Sequence, residues 1–185
     1  MNEMERITRE NMMLRTSVKN LQDRVDSLEQ QGRANNVEIC GVPEKESENV
    51  LSIVTRIAEN IGCPIEPSEV DSFYRVPTFD PKKPKTIVVK FLSKHKRDSF
   101  LGASKAKRRQ LGTSRGFNIE NISHELYINE HLTTRNKKLL MKTKDAARSK
   151  NYKFVWIRDG AILVRKDELS KIMRISDEDE LAKIV

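Results

Sequence analysis

Three groups of basic side chains carry the residue types most able to act on a partner: Lys82, Lys83 and Lys85; Lys105, Lys107, Arg108 and Arg109; and Arg135, Lys137 and Lys138, continued by Lys142 and Lys144. Ammonium and guanidinium groups in such runs neutralise phosphates, so the chemistry they suggest is capture of a polyanion. Groups that could break or form bonds do not come together. His95, His124 and His131 sit in unlike contexts, no glycine-rich phosphate loop occurs, and no carboxylate pair lies beside a metal-ligating histidine, so no enzyme, cofactor or metal is expected. Cys40 and Cys63 lie in apolar stretches without a CxxC spacing. They predict neither a disulfide framework nor a zinc site, and they fit a reducing compartment.

The balance of charge agrees: 35 Lys and Arg face 27 Asp and Glu, a formal net charge of +8, which favours nucleic acid or an acidic membrane surface. The excess lies between Lys82 and Arg174, whereas the first segment mixes both signs. The polyanion site is therefore expected in the later part of the chain. Neither a signal peptide nor an apolar run of spanning length is visible, and a soluble intracellular protein is expected, with no membrane partner.

Three units must position these groups: residues 1–33, 34–131 and 132–185. In the first, apolar residues recur at steps of three and four. Met4, Asn11, Val18 and Val25 fall at heptad position a, and Ile7, Leu14, Leu21 and Leu28 at d. Glu10 and Arg24 take position g, Arg15 and Glu29 position e, so opposite charges meet between parallel neighbours. The pattern predicts a parallel coiled coil roughly 36 Å long, ended by Gly32, whose alternative is a helix folded against its own domain. Valine at a, leucine at d and Asn11 favour two strands. Arg24, Val25, Leu28 and Glu29 spell a three-strand signature, and a trimer is expected over a dimer.

The middle unit reads as a ferredoxin-like βαββαβ sandwich within an overall α+β class. Val37 and Ile39 predict a first strand ending at Gly41-Val42-Pro43, followed by a helix from Val50 to Ile61 capped by Ser47 or Asn49 and stopped by Gly62 and Pro64. Val70 to Val76 is the second strand, and Thr86 to Leu92, nearly all apolar, the central third. Ser93 caps a second helix with Phe100 and Leu101 inward. The basic run and a polar loop then lead to a fourth strand at Leu126 to Asn129.

The last unit is a small basic α/β domain. Thr133 or Thr134 opens a helix with Leu139, Leu140, Thr143, Ala146 and Ala147 on one side and lysines on the other, a face that is either a polyanion site or a solvated surface. Phe154 to Arg158 and Ala161 to Arg165 flank Asp159-Gly160, the pair that favours a type I′ hairpin turn. Trp156 and Tyr152 are candidates for base stacking or core. Ser176, with Asp179 three residues on, is expected to cap a short final helix.

Four stretches carry a resemblance: NNVEICGVPE (Asn35 to Glu44), DSFYRVP with KPKTIVVKF (Asp71 to Phe91), YINEHLTTRNKKLL (Tyr127 to Leu140) and KFVWIRDGAILVRK (Lys153 to Lys166). Together they resemble the first-open-reading-frame proteins of LINE retrotransposons, and the later half is similar to the baculovirus few-polyhedra (FP) protein family. The resemblance implies a coiled-coil trimer, an atypical RNA-recognition motif and a C-terminal domain closing on single-stranded nucleic acid, in an RNA-packaging protein and nucleic-acid chaperone. It also implies RNA contacts at Arg75, Lys82, Lys83 and Arg135, and at Lys90 and Arg109. An ordinary RNA-recognition motif stacks bases on aromatics of its first and third strands, whereas here Phe91 is the one aromatic on those strands, so phosphate contacts are expected to dominate.

The expected function is oligomeric binding of single-stranded RNA or DNA in a cytoplasmic ribonucleoprotein, with Lys105 to Arg109 a candidate nuclear signal. The rival expectation is an FP-like structural protein acting through protein partners.

Overall fold

The computed structural model describes residues 3–78, 80–113, 116–120 and 122–185. Helix α1, Glu3–Gln31, buries none of its own residues. Its end is set by Gly32, whose N–H donates to the Leu28 carbonyl, after which the chain turns into strand β1, Asn36–Cys40. No described helix is long and apolar enough to cross a membrane.

The element order continues with α2 (Val50–Asn60), β2 (Val70–Val76), β3 (Thr86–Phe91), α3 (Lys94–Gln110), β4 (Phe117–Ile119) and β5 (Ile122–Glu130). The five strands form an antiparallel sheet in the order β2-β3-β1-β5-β4. Strand alternation sends Val37, Ile39, Ile87, Val89, Phe91, Leu126 and Ile128 to one face. There they pack with Val54, Ile57 and Ala58 of α2 and Phe100 and Leu101 of α3. The Phe91 and Phe100 rings lie 5.4 Å apart and tilted, a pair that adds about 1 kcal/mol to the burial of each ring. The helices start where caps are available: Asn49 accepts from the Ser52 N–H and Ser93 from the Lys96 N–H. Gly41 has φ +92° where the chain leaves β1, and a Cβ there would lie 2.2 Å from the Glu125 carbonyl oxygen. Only glycine fits this crossing.

Helix α4 (Thr134–Ser149), capped by Thr133, then packs on a second sheet of β6 (Phe154–Arg158), β7 (Ala161–Arg165) and β8 (Met173–Ile175). Leu139, Ile162, Val164, Ile175 and Ile184 form its core. Asp159 and Gly160 both have positive φ, 53° and 74°, as a type I′ turn requires.

Four expectations are corrected. The basic run lies within the last turns of α3 instead of following the helix, because nothing before Gly112 breaks it. The stretch after α3 holds strand β4, paired with a β5 that begins earlier than Leu126. β3 ends at Phe91, and Leu92 is exposed. At the C-terminal end the Ser176 side chain does not cap: Asp177 accepts from the Glu180 N–H, and the Ser176 N–H donates to Glu180.

Candidate nucleic-acid interface

The polar face of the five-stranded sheet is set by the same alternation that builds the core. Register places Ser72, Tyr74 and Val76 of β2 beside Lys90, Val88 and Thr86 of β3, and these beside Asn36, Glu38 and Cys40 of β1. Tyr127 and Asn129 of β5 complete the rows. Over this face, the end of α1 and the first turns of α4 leave a cleft of about 1000 Å³. Four cationic side chains line it: Lys83 from the β2–β3 loop, Lys90 from β3, Lys137 from α4, and Arg33 from the link after α1.

Each is held in place differently. The loop bearing Lys82 and Lys83 is organised by Asp80, which accepts from the Lys82 N–H (3.0 Å) through its carboxylate and from the Lys83 N–H (3.0 Å) through its carbonyl. Both lysines are exposed, and neither has a carboxylate partner among the described residues. Lys90 lies 2.9 Å from Asp71, an exposed, solvent-screened pairing that leaves the ammonium open to exchange for a phosphate. Lys137 lies 2.6 Å from Glu38. Burial pushes the Glu38 carboxyl above its ordinary value, against the pull of Lys137 and Arg33.

At the back of the cleft His131 is buried between Arg33, 3.1 Å from Nε2, and the Asn36 amide, 3.2 Å from Nδ1. Burial, with Arg33 and Lys137 nearby, lowers its pKa to about 4, so the ring is neutral at pH 7. Arg33 can only donate, so Nε2 accepts and the proton sits on Nδ1, which is satisfied when Asn36 turns its amide oxygen toward it.

The other basic residues singled out in the sequence lie elsewhere. Arg75 points away from the cleft: its guanidinium binds Glu48 and the carbonyls of Val42, Pro43 and Lys85. Lys85 lies 3.2 Å from Glu44. Arg135 pairs with Asp23 (2.9 Å) and Asp26 of α1, while Lys138 is exposed on the next face of α4. Lys105, Lys107, Arg108 and Arg109 ride on the C-terminal turns of α3, on the layer opposite the cleft. There they favourably meet the negative end of the helix dipole.

Helix α1 presents two different faces. Lys19, Asp23, Asp26 and Gln30, at heptad positions b and f, contact the C-terminal lobe through Asp179, Arg135, Thr133 and Asn136. The heptad seam, Met4, Ile7, Leu14, Val18, Leu21, Val25 and Leu28, is exposed at 42% to 72%. Asn11, Arg24 and Glu29 are exposed along it.

A second set of contacts joins the lobes. Arg97 of α3, 3% exposed, donates to the Ala34 carbonyl (2.8 Å) and to Asp159 (3.3 Å), and Glu130 accepts from the N–H groups of Asp159 (3.1 Å) and Gly160 (2.8 Å). The hairpin turn is thereby pinned to the end of β5.

Sequence reasoning gave no role to Arg33, which lies in no basic run, or to Asn36 and His131, which lie in stretches read only for their resemblance. It sought aromatics on β1 and β3, whereas the polar face takes its tyrosines, Tyr74 and Tyr127, from β2 and β5. Period-two alternation along those strands was the available signal. No curated protein matches the chain. Residues 133–185, less than a third of the chain beginning at the α4 cap, match the family described as Baculovirus FP protein domain 2.

Proposed function

We propose that the protein is an oligomeric single-stranded nucleic-acid binding protein, with RNA as its ligand, acting as a chaperone that packages retroelement RNA into a cytoplasmic ribonucleoprotein. The observation that carries this reading is the cleft itself: four cations from four separate segments converge over the polar face of one sheet. Phosphate neutralisation supplies most of the affinity and little sequence choice. Weak contacts that exchange quickly let strands part and re-pair. The strand order of the sheet supports the ferredoxin-like, RNA-recognition-motif reading of the middle unit, with β4 as an addition. The exposed seam of α1, facing away from its lobe contacts, supports a parallel coiled coil, read as a trimer.

Two measurements test it. Fluorescence anisotropy with a mixed-sequence single-stranded RNA across a salt series gives a log affinity that falls steeply with log salt, and duplex RNA of equal length binds more weakly. No binding at low salt refutes the reading. Replacing Leu14 and Leu21 with Glu breaks the seam without touching the residues that dock the C-terminal lobe. Sedimentation then shows monomers, and affinity for long RNA falls about a hundredfold through lost avidity while short oligonucleotides bind as before. Equal losses on long and short strands remove the avidity argument.

The match of residues 133–185 to the FP domain favours a second reading, a structural protein working through protein partners. Replacing Lys83, Lys90 and Lys138 with Ala separates the two. Unchanged RNA affinity with loss of a protein partner supports the second.

A further inference from the structure

The three-stranded sheet also has two faces, and the core accounts for only one. Val155, Ile157, Ile162, Val164, Met173 and Ile175 point toward α4, and Val155, Ile162, Val164, Met173 and Ile175 are packed with it. The alternate positions point the other way. Register sets Phe154 opposite Arg165, Trp156 opposite Leu163, Leu163 opposite Arg174, and Arg158 opposite Ala161. This outward face thus holds two aromatics, one leucine and three arginines, and no carboxylate. Phe154, Trp156 and Leu163 belong to neither core. They are half-buried, and Arg158 and Arg174 are exposed.

Charge on this face is unbalanced. Among the described residues none of the three arginines has a carboxylate partner. Arg165 is held instead over the Phe154 ring, its guanidinium carbon 4.8 Å from the centroid, and its buried Nε–H meets no acceptor. A surface built for solubility alone has little use for an indole in the middle of a strand flanked by guanidinium groups. A half-buried indole on a sheet face offers a flat apolar surface on which a base of any sequence can stack. Arginine on either side supplies phosphate contacts and cation–π stacking.

We infer that the outward face of the three-stranded sheet is a second contact surface for single-stranded nucleic acid, in which a base stacks on Trp156 while Arg158, Arg165 and Arg174 hold its neighbouring phosphates. The inference rests on the proposed function for its ligand but not for its location, since this face is separate from the cleft over the five-stranded sheet. With Phe154 already covered by Arg165, Trp156 is the ring that receives the base. The tight hairpin turn at Asp159-Gly160, pinned by Glu130, fixes the face relative to the rest of the protein. A strand leaving the cleft thus has a second anchored site to reach.

Trp156 is the one tryptophan in the sequence, so its intrinsic fluorescence reports on this face alone. The full chain is titrated with unlabelled mixed-sequence single-stranded RNA, and with inorganic polyphosphate as a base-free polyanion, while saturation is followed separately by anisotropy of a labelled RNA competitor. The expected result is quenching that tracks RNA saturation and is absent with polyphosphate. Replacing Trp156 with Leu, which keeps an apolar strand residue opposite Leu163, lowers RNA affinity about tenfold, and Trp156→Phe recovers part of it. The pair Arg158→Ala and Arg174→Ala, both exposed, makes the salt dependence shallower by about 1.4 in slope. If RNA saturates the protein while Trp156 fluorescence stays unchanged and Trp156→Leu binds normally, this inference is overturned and the cleft reading stands. If the wild-type chain binds no RNA, both fall.

Discussion

Two cationic regions of this molecule differ in how they are made. The run Lys105 to Arg109 is contiguous in sequence, yet α3 winds it around a helix end, where Lys105 and Arg109 are exposed and Lys107 and Arg108 are half-buried. The cleft draws Lys83 and Lys90 from the β2–β3 loop and β3, Lys137 from α4 and Arg33 from the link after α1, and sets them over one sheet face beside a neutral histidine. A run of charge in sequence is a local property. The cleft is a tertiary property: the fold brings one lysine from each of two basic runs, Lys83 and Lys137, together with Lys90 and Arg33, which belong to no run.

The sharpest test of that difference reverses charge in each region. Lys83→Glu with Lys90→Glu is expected to lower affinity for a mixed single strand on the order of a hundredfold at moderate salt, as two phosphate contacts become repulsions. Lys105→Glu with Arg109→Glu, at exposed positions on the other layer, is expected to change it less than about threefold while costing some helix stability through the dipole. Anisotropy titrations of the two variants against the same RNA decide. Equal losses would show that the strand wraps around to α3, and the cleft would then be only part of the site.

The contrast also explains what could be read in advance. Caps and turns are local, so Asn49, Ser93 and Thr133 as helix starts, Asp159-Gly160 as a hairpin turn, and the limits of β2, β6 and β7 all agree with the sequence. Strand β4 escaped because Phe117–Ile119 is three residues of edge strand within polar surroundings. The cleft escaped for a different reason: periodicity tells which face of a strand is apolar, but not which distant element will cover the polar one. Arg75, named from the resemblance and not from a basic run, has its guanidinium enclosed by Glu48 and three carbonyls. Only the packing of the loop after β1 makes that visible.

The neutral histidine gives the cleft a pH signature that the α3 run lacks. His131 has a folded pKa of about 4 against an ordinary 6.5. Below 6.5 the unfolded chain takes up a proton that the folded chain resists, so this contribution to stability is full above 6.5 and is lost as pH falls toward 4. Between pH 6.5 and 4.5 the loss is about 2 kcal/mol. Glu38, with its pKa raised by burial, works in the opposite sense, binding its proton more readily when folded. Urea unfolding across this range should therefore show stability falling with acid, and His131→Gln should flatten the slope. An unchanged slope in the variant would place the proton uptake elsewhere.

The smallest effect concerns how the cleft wall is held, and it turns on Gln30. Its Oε1 accepts from the Thr133 N–H and from the Asn136 Nδ2, each at 3.0 Å, and its Nε2 donates to the His131 carbonyl at 3.1 Å. One side chain of α1 thus satisfies two groups of the link between β5 and α4 and one in the first turn of α4, the element that carries Lys137 into the cleft. Gln30→Ala leaves the partly buried Thr133 N–H without its acceptor and is expected to cost about 1 kcal/mol. Gln30→Glu keeps both acceptor contacts but sets a carboxylate oxygen against the His131 carbonyl in place of the donor, so at neutral pH it is expected to cost more than Ala. Chemical denaturation of the two variants, paired with RNA affinity, separates anchoring from binding. If Glu instead costs less than Ala, the acceptor contacts at the start of α4 hold the wall and the bond to the His131 carbonyl contributes little.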